Sequence, residues 1–178
     1  VVKGYFAEQA AFYVGQSLYQ SVPEPRLDQT PTLGAINAYQ QFLDLFPDSE
    51  LRPVAQKRLF DLQDNLVQKE YLSAQLYYNL GGYFGNINSN TESNYEACII
   101  TAQNALKNYP YSKIREKFAV LIMKSKFELA ENSSEEKKLD RYRDAEDECY
   151  GFLNEYPESK ECATAEKYIV KCKKITKD

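Results

Sequence analysis

The sequence predicts an all-α fold of about seven helices, arranged as stacked helical hairpins. Apolar residues recur every three to four positions along most of the chain, which is the helical period. Only 7 Gly and 7 Pro interrupt the 178 residues, and one helix-ending pattern occurs three times. Because such a hairpin buries its apolar face only against a neighbour, we expect the hairpins to stack in a single solenoid domain over residues 1–178.

The first two helices are expected over residues 5–20 and between Thr30 and Pro47. A proline-rich connection separates them, and Pro31 suits the first turn of the second helix, where a backbone N–H has no helical partner. In the first helix, the apolar residues spaced as one buried face are Phe6, Ala10, Tyr13, Val14 and Leu18.

The third helix is expected to be long, near residues 51–80, because no Gly or Pro occurs between Val54 and Leu80. Its apolar stripe changes face where the spacing steps from Leu66 to Leu72. No helix breaker lies at this step, so we expect one continuous helix whose two halves pack on different neighbours. The stripe residues are Ala55, Leu59, Leu62, Leu66, Leu72, Leu76 and Leu80.

The second half of the chain is expected to hold two helical hairpins and two loops. Segments rich in Asn, Ser and charged residues predict loops over residues 85–94 and 132–138, because they cannot bury apolar surface. The remaining helices are expected over residues 95–109, 113–131, 138–156 and 159–174.

The repeated pattern ends three helices, in residues 35–49, 98–112 and 145–159. Each copy has a small residue, then a leucine, an aromatic residue, a proline and a serine. The proline ends the helix, and the serine can accept a hydrogen bond from an amide of the next helix. The residues expected to build these repeats are Ala35, Phe42, Leu43, Phe46, Pro47, Leu106, Tyr109, Pro110, Ala145, Phe152, Leu153, Tyr156 and Pro157.

The composition argues against several classes of function. The chain has no His, so it lacks Ser-His and Cys-His nucleophile pairs and His-containing zinc sites. Its net charge of −4 argues against nucleic-acid binding, which needs a basic surface. The spacing of its 4 Cys matches no metal or redox motif. The sequence therefore predicts no catalytic, cofactor or metal site and favours a protein-interaction module.

An aromatic cluster near the end of the third helix is the candidate partner-binding surface. Neighbouring residues on a helix cannot both face inward, so one of Tyr77 and Tyr78 is expected on the surface. Two interpretations stay open: the rings fill space between wide-set helices, or they form an exposed platform for a partner segment. The cluster comprises Tyr71, Tyr77, Tyr78, Tyr83 and Phe84.

The proline-terminated hairpins resemble tetratricopeptide repeats, which implies a right-handed solenoid. The motif Leu-x-x-Lys-Glu-Tyr-x-x-Ala-x-x-Tyr-Tyr runs from Leu66 to Tyr78. With the order of residues 57–85 and 99–133, it resembles the later repeats of the BamD family. These are the tetratricopeptide-like lipoproteins of the bacterial outer-membrane β-barrel assembly machinery. The Leu-Ala-Glu-Asn-Ser connection that follows resembles members from the Bacteroidota.

The resemblance implies a non-catalytic scaffold at the periplasmic face of the outer membrane, held by a lipid anchor outside this chain. Its partner would be the periplasmic domains of the barrel-forming subunit, and it could also bind unfolded outer-membrane proteins. Members often carry Arg where this chain has Thr101, so Thr101 is a candidate partner-binding residue that departs from the family pattern. The alternatives are a tetratricopeptide-like periplasmic adaptor unrelated to barrel assembly, and a glycan-uptake lipoprotein, although the chain has no Trp for a glycan surface.

Overall fold

The computed structural model describes residues 4–82 and 93–176, and the regular secondary structure in these residues is entirely α-helical. This confirms the predicted all-α, tetratricopeptide-like fold class. The helices of the described residues are α1 (Tyr5–Gln20), α2 (Thr30–Leu45), α3 (Arg52–Leu80), α4 (Asn94–Asn108), α5 (Arg115–Glu131), α6 (Glu135–Glu155) and α7 (Cys162–Thr176).

The chain divides into two compact units, Val1–Lys69 and Glu70–Asp178, which are described here as unit 1 and unit 2. The boundary lies within α3, and α3 is continuous through it. This confirms the prediction that no helix break occurs between Leu66 and Leu72. The boundary between the two units lies where the sequence predicts that the apolar stripe of α3 changes face.

The core of unit 1 is a cluster of aromatic rings between α1, α2 and the first half of α3. The ring of Phe12 packs edge-to-face on those of Tyr39 and Phe42, at centroid distances of 5.9 and 5.4 Å. Gly15 permits this approach of α1 and α2, because a Cβ on it would lie 2.9 Å from the Tyr39 ring. The buried members are Phe12, Ala35, Tyr39, Phe42, Ala55 and Leu62.

The predicted buried face of α1 is wrong. Phe6, Tyr13 and Val14 are exposed, with Phe6 83% accessible, whereas Phe12 and Gly15 are buried. α1 is apolar on two faces, and the face that contains a glycine is the one that fits against the ring of Tyr39. Close packing, rather than the count of apolar residues, therefore decides which face is buried.

Arg58 on α3 adds a cation to the aromatic core of unit 1. Its guanidinium donates a hydrogen bond to the Tyr39 hydroxyl at 2.5 Å. It also lies over the rings of Phe12 and Tyr19, 5.3 and 5.2 Å from their centroids. Such cation–π contacts stabilise a partly buried cation that has lost part of its hydration.

Unit 2 contains the second half of α3 and helices α4 to α7. Its core is centred on α5, where Phe127 stacks flat on Tyr168 of α7 with ring centroids 3.9 Å apart. In the second half of α3 the predicted leucine stripe is wrong, because Leu76 and Leu80 are exposed and Ala74 is buried. Tyr71 and Tyr78, which share the face of Ala74, are half-buried.

The predicted loop over residues 132–138 is too long. Helix α6 already begins at Glu135, so only Asn132–Ser134 connect it to α5. Glu135 and Glu136 lie in the first turn of α6, where negative charge interacts favourably with the helix dipole. Of the predicted 85–94 loop, residues 85–92 lie outside the described residues, Ser93 caps α4 by accepting the N–H of Glu96, and Asn94 is already helical.

The three proline turns share one backbone conformation. The aromatic residues before the prolines, Phe46, Tyr109 and Tyr156, have φ of −129°, −127° and −129° and ψ of 66°, 65° and 61°. Proline disfavours helical angles for the residue before it, which ends each helix at this position. In each turn the serine N–H then donates to the carbonyl of the aromatic residue, at 3.1 to 3.2 Å.

The serines of these turns accept backbone N–H groups one residue before the following helices begin, so the predicted bond to an amide of the next helix is displaced by one residue. Their hydroxyl oxygens accept backbone N–H groups at 3.0 to 3.2 Å, in the pairs Leu51 to Ser49, Ile114 to Ser112 and Glu161 to Ser159. The small residues that begin the repeats are fully buried: Ala35, Cys98 and Ala145. The repeat leucines and the aromatic residues before the prolines are partly buried, at the edge of each hairpin contact.

Candidate functional site: a tyrosine-lined groove

Unit 2 contains a groove of about 450 Å³ between the second half of α3, the first half of α5 and the start of α7. The α3 residues that line it lie one and two turns apart on a single helix face, as their spacing requires. The lining residues are Tyr71, Gln75, Tyr78, Asn79, Glu116, Lys117, Val120, Leu121, Lys124 and Glu161.

The two groove tyrosines are held by aromatic neighbours. The ring of Tyr71 packs edge-to-face on Phe118 at 5.7 Å, and the ammonium of Lys117 lies 5.5 Å from the centroid of Tyr71. The ring of Tyr78 packs against Tyr95 at 6.0 Å. Burial raises the pKa of both tyrosines, and the nearby Glu128 carboxylate raises that of Tyr78 further. Both hydroxyls therefore stay protonated near neutral pH and can donate hydrogen bonds.

One edge of the groove is formed by an ion pair. The Lys124 ammonium lies 3.0 Å from Oε2 of Glu161, which comes directly before α7. The hydrogen bond from Lys124 lowers the pKa of the Glu161 carboxyl, against the opposing effect of burial. Glu161 is thus ionised at neutral pH.

The groove combines apolar and polar contacts in the manner of a protein-binding surface. Val120 and Leu121 supply apolar surface, and Gln75 and Asn79 supply amides that both donate and accept hydrogen bonds. Protein interfaces likewise combine a well-packed centre, often with tyrosine, and a polar rim. Protonated tyrosines and a paired carboxylate suit binding, because neither is poised to transfer a proton at neutral pH.

The structure brings together only part of the predicted partner-binding set. Tyr71 and Tyr78 line the groove. Tyr77 and Tyr78 are both half-buried, so each keeps part of its surface accessible; the Tyr77 carbonyl accepts the N–H of Gly81 at 3.0 Å, where α3 ends. Thr101 is half-buried on α4 and is not among the groove residues. Tyr83 and Phe84 lie outside the described residues.

Sequence reasoning missed the groove residues on α5 and the residue directly before α7. Lys117, Lys124 and Glu161 are distant in sequence from α3, and each has a common residue type that carries no motif. Gln75 could have been predicted as a groove residue, because it lies four residues after Tyr71 and three before Tyr78 and so shares their helix face.

Residues 6–93, just under half of the chain, match the family model described as YfiO, outer membrane lipoprotein. This is the BamD-like family to which the sequence shows a resemblance, and the matched range includes the motif from Leu66 to Tyr78. The matched range therefore covers α1 to α3 and contributes Tyr71, Gln75, Tyr78 and Asn79 to the groove. No curated protein is significantly similar to the chain.

The helices of residues 4–82 and 93–176 include none with both the length and the hydropathy needed to cross a membrane. Even α3, which is 29 residues long, is interrupted by charged residues such as Arg58, Asp61 and Lys69.

Proposed function

We propose that this chain is a non-catalytic, BamD-like scaffold that takes part in outer-membrane β-barrel protein assembly. The observation that carries the proposal is the match of residues 6–93 to the YfiO outer membrane lipoprotein family. The all-helical, tetratricopeptide-like fold fits this role, because such repeats present concave surfaces to other polypeptides. We also propose that residues 1–178 form a single α-solenoid domain.

The groove of unit 2 is the proposed docking site for the periplasmic domains of the barrel-forming subunit. Its volume of about 450 Å³ holds a few side chains of a partner segment rather than a whole domain. The half-buried tyrosines would supply the apolar contacts, and the amides of Gln75 and Asn79 would fix the segment by hydrogen bonds. Unfolded outer-membrane proteins, which also present extended apolar and polar side chains, are a second proposed occupant.

The proposed location is the periplasmic face of the outer membrane, with a lipid anchor outside this chain and an origin in the Bacteroidota. Thr101 keeps its proposed role as a contact outside the groove. Because Thr cannot form the ion pair that Arg forms at this position in the family, docking here would depend on packing instead.

The test is a binding titration with the periplasmic domains of the barrel-forming subunit from the same genome. The variant Gln75→Arg/Asn79→Arg places two bulky cations in the groove. We expect it to weaken binding at least about tenfold, the loss typical of a blocked interface centre. The matched control is Leu76→Arg, on the same helix, where the side chain is exposed and does not line the groove.

The outcomes separate the competing functions. Binding that is lost with the groove variant and kept with Leu76→Arg supports the proposal. Binding that neither variant changes removes the groove from the interface. If the barrel-forming subunit does not bind at all, the chain is an adaptor unrelated to barrel assembly, and a glycan array then tests the glycan-uptake alternative.

A further inference from the structure

The turn between α4 and α5 has the same backbone as the two other proline turns but a different surface. The residue after the proline is Tyr111 in this turn, and Asp48 and Glu158 in the others. The Tyr111 side chain is 96% exposed. Because acidic residues support the same turn geometry elsewhere in the chain, the fold does not require an aromatic residue here.

The charge of this turn is also reversed. The eleven residues 107–117 carry a formal charge of +3, whereas the aligned residues 44–54 and 154–164 each carry −2. The whole chain carries −4, so residues 107–117 are a local basic segment on an acidic protein. An exposed tyrosine flanked by cations suits a binding surface, since Tyr is favoured at interface centres and the rim of an interface is polar.

The basic residues of the turn do not all have the same role. Arg115 is engaged within unit 2: it donates to the Leu106 carbonyl at 3.2 Å and lies 3.7 Å from Glu155. Lys117 lies over the ring of Tyr71 in the groove. Lys107 and Lys113 are exposed on either side of Tyr111 in the sequence. Of the three exposed lysines of residues 107–117, these two are the nearest to Tyr111 in the sequence.

We propose that the α4–α5 turn docks an acidic polypeptide segment. Carboxylates of the segment pair with Lys107 and Lys113, and an aromatic or aliphatic side chain of the segment packs on the exposed ring of Tyr111. This inference is independent of the proposed function, because it rests on the comparison of three turns and not on the groove or the family.

The charge distribution favours a polypeptide over an anionic membrane. Recognition of anionic lipids uses clusters of about four to eight basic residues. Residues 107–117 have three exposed lysines together with exposed Glu116, and Glu155 lies beside Arg115; a continuous negative surface would repel both glutamates. A segment with two or three carboxylates can pair with the lysines and avoid both glutamates.

The experiment selects binding peptides from a random twelve-residue phage library on the 178-residue chain. The variant Lys107→Asn/Tyr111→Glu gives these two positions the residues that the α6–α7 turn has there, so the fold is expected to be retained and is checked by circular dichroism. We expect peptides enriched in Asp and Glu, with an apolar side chain, whose affinity falls at least about tenfold in this variant. The single variant Lys113→Gln is expected to weaken the same peptides without any change of backbone.

Matched controls exclude other surfaces. Glu158→Gln changes the equivalent position of a sister turn, and Gln75→Arg/Asn79→Arg blocks the groove; both are expected to retain peptide binding. Peptides without acidic bias, or acidic peptides that bind the turn variants as well as the parent chain, would overturn the proposal. It would equally be overturned if no peptide were selected while the chain floated with phosphatidylglycerol vesicles in a Tyr111-dependent manner.

Discussion

Units 1 and 2 end their helices in the same way but fill their cores differently. In unit 1 the eighth residue before the proline is Tyr39, whereas the equivalent residues of unit 2 are Ala102 and Cys149. All three are buried. In the helix after the turn, Leu62 of unit 1 corresponds to Ser125 and Cys172 of unit 2, which are also buried. Large side chains thus occupy positions in unit 1 that small ones occupy in unit 2.

The comparison teaches that the turn and the core are specified separately. The proline turn depends on local backbone chemistry, so it forms next to a ring cluster or next to small residues alike. In unit 2, large side chains at other positions, such as Phe127 and Tyr168, fill the space between the helices. Burial raises the pKa of the Cys149 thiol to about 12 and of the Cys172 thiol to about 11, so both act as small neutral groups.

The largest expected effect comes from removing the phenylalanine that precedes the proline by five residues in each unit. Phe42→Ala leaves a cavity in the rigid ring cluster of unit 1 and is expected to destabilise by about 4–5 kcal/mol. Phe152→Ala is expected to destabilise by about 3 kcal/mol, because flexible Met123 shares its cluster and can move into the cavity. Urea unfolding measures both, with exposed Phe60→Ala as the control. If Phe152→Ala lost more unfolding free energy than Phe42→Ala, the core of unit 2 would not be the more adaptable one.

The next effect concerns two glycines in helices. Gly15→Ala in unit 1 brings a Cβ to 2.9 Å from the Tyr39 ring, which Phe12 and Arg58 hold in place. We expect it to destabilise by about 1–3 kcal/mol through overpacking. Gly151→Ala in α6 of unit 2 meets no atom within 4 Å and is expected to stabilise by about 0.5–1 kcal/mol through helix propensity. Thermal unfolding measures whether each variant is more or less stable than the parent chain. A stabilised Gly15→Ala variant would contradict the close contact of α1 with Tyr39.

The same separation explains what could be predicted from the sequence. Helix ends were predictable because Pro47, Pro110 and Pro157 act on the residues directly before them. The buried face of α1 was not, since the choice between Tyr13 and Phe12 depends on the ring of Tyr39, which is distant in sequence. The groove was predicted only through Tyr71 and Tyr78, because its other walls come from α5 and the start of α7 and need the tertiary fold to be assembled.

The smallest expected effect is a pH dependence that unit 2 has and the equivalent turn of unit 1 lacks. Glu161 and Leu51 both follow the serine of their turn by two residues, but only Glu161 can pair with a lysine. Its folded-state pKa lies below the ordinary value of 4.5, so the pair stabilises above that pH and the stabilisation is lost as the pH falls through the folded-state pKa. A partly exposed pair contributes about 0.2–1 kcal/mol. Glu161→Gln should therefore lower the urea midpoint slightly at pH 7 and match the parent chain near pH 3. A difference between the two proteins that persists unchanged to pH 3 would show that Glu161 acts through packing rather than through its charge.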